Sequence, residues 1–204
     1  MSVQDQADNT QTSRMRLLNA GKMLFAKNGY EQTSTAAIAR EAGSSESQLI
    51  RYFEGKAGLL EAIFNDSWAA LNEGVEQSIA DAKDGREALL RLLTLMFKVF
   101  NRDHDIAFLF LFEGRRMRGN TPEVHLSKGF AQFLNAMIGQ IERGCEDGSF
   151  RKDIDARVLG SAMLGSAEGM VRDRIMSERS GETTHPFTDE NVYKAFQAVV
   201  NGLS

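Results

Sequence analysis

Between Ser45 and Lys56 the chain reads SESQLIRYFEGK, a run of side chains suited to a polyanion and to the edges of base pairs. The Gln48 amide offers a donor beside an acceptor, the pattern that an adenine edge takes in a bidentate contact. The same side chain could equally cap its own helix, and residue type leaves both open. Arg51 carries a planar fork that fits a guanine edge or a phosphate. Ile50 presents an apolar end that could meet a thymine methyl. Ser45 and Ser47 add hydroxyls, as do Ser34 and Thr35 shortly before, while Tyr52 and Lys56 bring a phenol and an ammonium. Glu46 opposes this chemistry, because phosphates repel a carboxylate. It suits the positive end of a helix dipole instead. Upstream, Arg14 and Arg16 either solvate an exposed helix end or reach a phosphate.

Other chemistries lack their residues. His104, His125 and His185 are far apart in sequence and do not have metal-ligand spacing. Cys145 is the single cysteine and has no evident activating partner, so neither a disulfide nor a thiolate nucleophile is indicated. Phosphate-cradling glycine loops and the strained nucleophile turn of hydrolases are absent. No cofactor and no metal are expected. An all-α enzyme with an unsignalled site, or a protein-interaction module without DNA binding, stands as the alternative.

The elements that must hold the candidate residues are short helices. Thr33, Ser34 and Thr35 cluster where hydroxyls can satisfy the free N–H groups of a first turn. Small residues follow through Ala42, and Gly43 sits where a left-handed residue would end the helix. Ser45 opens a second helix, with Gln48 three residues on at capping-box spacing. Leu49 and Phe53, four apart, give it one buried stripe. Small residues on the first helix allow the second to cross closely, which is the layout of a helix-turn-helix. Before it, Leu17, Gly21, Leu24 and Phe25 fall on one face of a bracing helix that Asn28-Gly29 ends.

Three segments, LLNAGKMLFAKNGYEQTS, IAREAGSSESQL and YFEGKAGLLEAIF, resemble in order and spacing the N-terminal domain of TetR-family transcriptional regulators. The resemblance covers Arg16 to Ile63, about fifty residues. It implies an all-α fold of about nine helices, with a three-helix DNA-binding head and a helical effector-binding and dimerisation body. It also implies a repressor that leaves a palindromic double-stranded operator when a small effector binds, and a homodimer joined through the last two helices of each subunit. Carried onto this chain, it makes Tyr52 and Lys56 phosphate contacts and favours phosphate contact for Arg14 and Arg16. Two positions depart from the family pattern. Ser44 replaces a branched apolar residue in the turn, and Ile50 stands where tyrosine is common, so the operator sequence does not follow from the resemblance.

Charge distribution agrees with a DNA-facing head. The chain carries −4 overall, yet residues 13–58 hold seven basic side chains against four acidic, a net +3, which leaves −7 for the rest. Residues 1–12 are polar and read as a disordered tail, 13–58 as the head, and 59–204 as the body. Apolar residues make up 42% of the chain, enough for a proper core. No run is long enough to span a membrane, and a lone cysteine fits a reducing compartment, so a cytoplasmic location is expected.

In the body, Leu59, Ile63, Trp68, Leu71 and Val75 continue one apolar face past Asp81, as a long linking helix would. A further helix spans Arg86 to Phe100. The segment IAFLFLF, Ile106 to Phe112, is apolar on every side and reads as a helix buried all round, ended by Arg115, Arg116 and Arg118. Thr121-Pro122 marks the start of the next helix, which runs to about Glu146. Asp153 or Asp155 starts another, through about Ser177, and Thr188 caps the last. Ser161, Gly165 and Gly169 form a row of small residues. With Val192, Phe196 and Val199 of the last helix, they are the expected dimer interface; close packing inside the monomer is the competing reading. Aromatic and methionine side chains could line a cavity for a hydrophobic or aromatic effector. The candidates are Trp68, Phe97, Phe100, Phe108, Phe112, Met137 and Met163.

Overall fold

The computed structural model describes residues 3–113, 128–182 and 184–203. Among these the chain is all-α. Helix α1 spans Val3–Asn28, α2 Thr35–Glu41, α3 Glu46–Phe53, α4 Lys56–Ile79, α5 Gly85–Arg102 and α6 His104–Phe108. A π-helical turn, Leu109–Glu113, follows α6 directly, and then come α7 Lys128–Asp147, α8 Ala156–Arg179 and α9 Asp189–Asn201. The chain divides into two compact units. One holds the chain through Ser67 and the described residues from Phe108 to Glu113; the other holds Trp68–Ala107 and the described residues from Lys128 on. Helix α4 contributes to both.

In the first unit α1, α2 and α3 pack on one another. Leu17, Phe25, Ile38, Leu49 and Leu59 are fully buried there. The turn after α1 forms as its residues dictate. Gly29 takes φ +81°, which glycine adopts without steric cost. The buried Thr33 hydroxyl donates back to the carbonyls of Gly29, at 2.8 Å, and Leu24, at 3.2 Å, and so ties the turn to the last turn of α1. Thr33 therefore closes α1, and the start of α2 is left to Ser34. Residues 3–12, expected as a disordered tail, lie within α1. They contain neither proline nor glycine, and extending an anchored helix adds one hydrogen bond per residue with no new nucleation cost.

In the second unit α5 is the central element and packs against α7, α8 and α9. Its stripe of Leu89, Leu92, Leu93, Met96, Phe97 and Phe100 is buried as the spacing predicts. Asp84, Asp155 and Thr188 cap α5, α8 and α9 through their side-chain oxygens. The start of α5 lies against α7, where a Cβ on Gly85 would come within 2.3 Å of the Gly144 nitrogen. Asp147 accepts from the Gly85 N–H at 2.7 Å and fixes that crossing.

The apolar segment from Ile106 to Phe112 differs from expectation. It is a short α-helix passing into the π-helical turn, and only Ile106, Ala107 and Leu109 are buried, while Phe108, Phe110 and Phe112 are half-buried. Glu113, at its end, is buried. The arginines after it and Thr121-Pro122 lie outside the described residues. No helix among the described residues is long and apolar enough to cross a membrane.

Candidate nucleic-acid interface

The two short helices are set by their caps. The Ser34 hydroxyl accepts from the Ala37 N–H at 3.1 Å and starts α2. Gly43, at φ +56°, turns the chain, and the Ser45 hydroxyl accepts from the Gln48 N–H at 3.3 Å to start α3. Leu49 and Phe53 face inward, and the opposite side of α3 carries Ser47, Ile50 and Arg51 in the open. Ile50 is 56% exposed. An isoleucine so exposed on a short helix gains little from folding at that site. The end of α3 is tight. Glu54 caps it at φ +60°, and a Cβ on Gly58 would fall 1.8 Å from the Phe53 carbonyl oxygen. Neither requirement is visible in the local pattern.

Side chains on and around α3 are already ordered by hydrogen bonds. Thr35 donates to the Glu46 carboxylate at 2.6 Å, so the carboxylate that opposed DNA binding joins the first turns of α2 and α3. The Ser44 hydroxyl donates to Gln48 Oε1 at 2.5 Å. Only half of the expected capping box forms: Gln48 gives its N–H to Ser45, but its side chain bonds Ser44 instead of the Ser45 backbone. Ser45 and Ser47 share a hydroxyl hydrogen bond of 2.9 Å. Arg51 lies over the Tyr52 ring, 4.8 Å from its centroid, and donates to the Tyr52 hydroxyl at 2.9 Å. The Ser44–Gln48 pair escaped the sequence reading, although hydrogen-bonding side chains four apart at a helix start are the signal for it.

Three basic residues expected at phosphates have partners inside the fold. Lys56 donates to the Tyr30 carbonyl at 2.9 Å and the Glu31 carbonyl at 3.4 Å, with its ammonium 4.4 Å from the centre of the Tyr30 ring. Arg16 donates to the Ala42 carbonyl at 3.0 Å and to the Ser13 hydroxyl at 3.3 Å, tying α1 to the end of α2. Arg14 pairs with Asp66 at 3.2 Å and sits over the Phe53 ring. Carbonyls at and just after helix ends attract cations, and the fold brought Lys56 and Arg16 within reach of them. Arg51 is exposed on the outward side of α3.

The effector candidates fall into two groups. Phe108 and Phe112 pack together in the first unit, with centroids 4.8 Å apart. In the second unit Trp68, Phe97, Phe100, Met137 and Met163 are buried. Trp68 packs against Phe130 and Phe133 at 5.3 and 5.6 Å.

The expected dimer residues also separate. Val192 and Phe196 are buried within the protomer, because that side of α9 closes on α5. Ser161, Gly165 and Val199 are exposed, and Gly169 is half-exposed. Among the described residues, nothing lies within 4 Å of the place a Gly165 Cβ would take, and a Gly169 Cβ would meet only the Arg172 side chain, at 3.8 Å.

Known proteins share this arrangement. Residues 17–63 match the model of bacterial regulatory proteins of the tetR family, and residues 64–194 match that of the YsiA-like protein C-terminal region. The fatty acid metabolism regulator protein of Bacillus subtilis is 22% identical over 165 residues, covering 81% of this chain and 84% of its own. The HTH-type transcriptional repressor KstR2 of Rhodococcus jostii is 27% identical over 159 residues, 78% of each chain. The crystal structure of the regulator FadR from Bacillus subtilis in complex with stearoyl-CoA superposes with a TM-score of 0.79 at 19% identity, covering 93% of this chain and 98% of that one. These are regulators of transcription rather than enzymes. The chain belongs to the tetR family of bacterial regulatory proteins, with a C-terminal region of the YsiA-like kind, and is a DNA-binding transcriptional regulator.

Proposed function

We propose that the protein is a homodimeric repressor that acts in the cytoplasm on a near-palindromic operator and leaves it when an apolar effector binds. The observation that carries this reading is the outward face of α3, where Ser47, Ile50 and Arg51 are exposed while Leu49 and Phe53 anchor the helix. A helix so anchored can enter a major groove, with Arg51 and Ile50 against base edges and the hydroxyls of Ser34, Ser45 and Ser47 near phosphates. Lys56, Arg14 and Arg16 serve chiefly to hold the head together.

Support for the dimer comes from α8 and α9. Val158, Ser161, Gly165, Gly169 and Met176 recur on one side of α8, with Val158 70% and Met176 55% exposed. Tyr193 and Val199 add exposed apolar surface on α9. A second copy of the same pair of helices would bury these residues in a self-complementary interface.

Support for an apolar effector comes from relatives. The FadR structure holds stearoyl-CoA, and a KstR2 structure is described as that of a ketosteroid regulator. Both names point to molecules with large hydrocarbon parts. The buried aromatic and methionine side chains of the second unit would suit such a body by repacking. The test is a gel shift on the DNA upstream of the protein's own gene, with and without stearoyl-CoA. A shift that added stearoyl-CoA abolishes supports the whole reading. A shift that stearoyl-CoA and a panel of steroid and aromatic compounds all leave unchanged removes the apolar effector. No shift at low salt removes the repressor.

A further inference from the structure

We propose that Ser44 is a specificity-determining positioning residue, whose hydroxyl sets the Gln48 amide so that it addresses DNA as a donor and selects guanine over adenine. The inference rests on the operator-binding reading above. Gln48 is the third residue of α3, and side chains there tilt back toward the helix start, which brings its amide over the turn. Ser44 stands in that turn and donates to Gln48 Oε1 at 2.5 Å. The contact draws the acceptor end of the amide toward the turn. The other end, Nε2, can only donate. It has no hydrogen-bond partner among the described residues and is not buried.

A glutamine free to rotate meets adenine with both ends at once, giving its donor to N7 and taking one from the N6 amino group. With Oε1 drawn to Ser44, one of its two lone pairs is taken and the amide plane is fixed, so the two-ended fit to adenine needs that oxygen to serve both partners at once, while Nε2 stays open to donate. Guanine presents N7 and O6, both acceptors, and a donor-only amide matches them. A branched apolar residue in place of Ser44, as the family resemblance implies, could not hold the amide this way. The base read by Gln48 therefore depends on a residue that need not touch DNA.

The test is selection of bound sequences from a random duplex pool by the full-length protein and its variants, with thermal melting of each as a control for folding. Gln48→Ala identifies the base pair that Gln48 reads, as the position whose preference vanishes. In the wild type that position should be guanine, preferred over adenine by about tenfold. Ser44→Ala adds no volume and should shift the preference at that one position toward adenine, leaving the other positions unchanged. Ser44→Thr keeps the hydroxyl and should keep guanine. The proposal is overturned if the Gln48-dependent pair is A·T rather than G·C, if Gln48→Ala changes no position, or if Ser44→Ala retains the G·C pair. A wild type that enriches no sequence overturns the operator-binding reading itself, a distinct result from enrichment with the wrong base.

Discussion

Lys56 and Arg51 are five residues apart and both basic, yet the fold uses them differently. Lys56 is committed to two backbone carbonyls and an aromatic face, so it joins the α1–α2 turn to the start of α4. Hydrogen bonds from a charged donor contribute about 1.5–3 kcal/mol each before competition with water at a partly open site is discounted. Lys56→Ala should therefore lower the stability of the head by about 1–2 kcal/mol. Among the described residues Arg51 has only its neighbour Tyr52 as a partner, and Arg51→Ala should leave the melting temperature nearly unchanged while relaxing base preference. Paired denaturation and binding measurements separate the two roles. A Lys56→Ala protein that melts like the wild type and loses about one unit of salt slope would return Lys56 to the phosphate backbone.

At the scale of elements, the joint between α3 and α4 is the most demanding feature of the head. Gly58 has no room for a methyl group, since the atom it would meet is the backbone oxygen of Phe53. Gly58→Ala must push the two helices apart, at a cost of about 1–3 kcal/mol or more. It should abolish DNA binding although it removes no contact residue. Circular dichroism melting beside a gel shift checks this; a stable variant that still binds would show that the joint is loose. This joint also marks where the sequence stopped being informative. The caps Ser34, Ser45, Asp155 and Thr188, the turns at Gly29 and Gly43, and the stripe of α5 follow from local rules and were readable. The need for glycine at position 58 arises from a neighbour's backbone and leaves no periodic trace. Likewise, the spacing of α9 shows an apolar stripe but not what covers it. Val192 and Phe196 looked as fit for a partner as Val199, and only the packing onto α5 separates them. Lys56 and Arg16 were read by charge alone, and their carbonyl partners, 26 residues away in each of the closer bonds, could not be seen.

At the scale of the whole molecule, the proposed homodimer would present two heads to one duplex. The exposed side of α8, with open space at Gly165, is suited to close approach of a second copy. Gly165→Leu should weaken the proposed dimer without unfolding the monomer, because none of the described residues lies within 4 Å of the Cβ it would add. Light scattering should then show monomers at concentrations where the wild type is dimeric, and operator affinity should fall because one head alone makes half the contacts. A dimer that persists with full DNA binding would move the interface away from Gly165.

The most direct measurement is a hydroxyl-radical footprint of the full-length protein on the DNA upstream of its own gene, at low and physiological salt. A dimeric regulator of this kind places two α3 helices in successive major grooves on one side of the duplex. The footprint should then show two protected half-sites about 34–36 Å apart, or a multiple of that spacing, related by inverted symmetry. Protection confined to one half-site, two half-sites in direct repeat, or protection that does not depend on sequence would contradict the account.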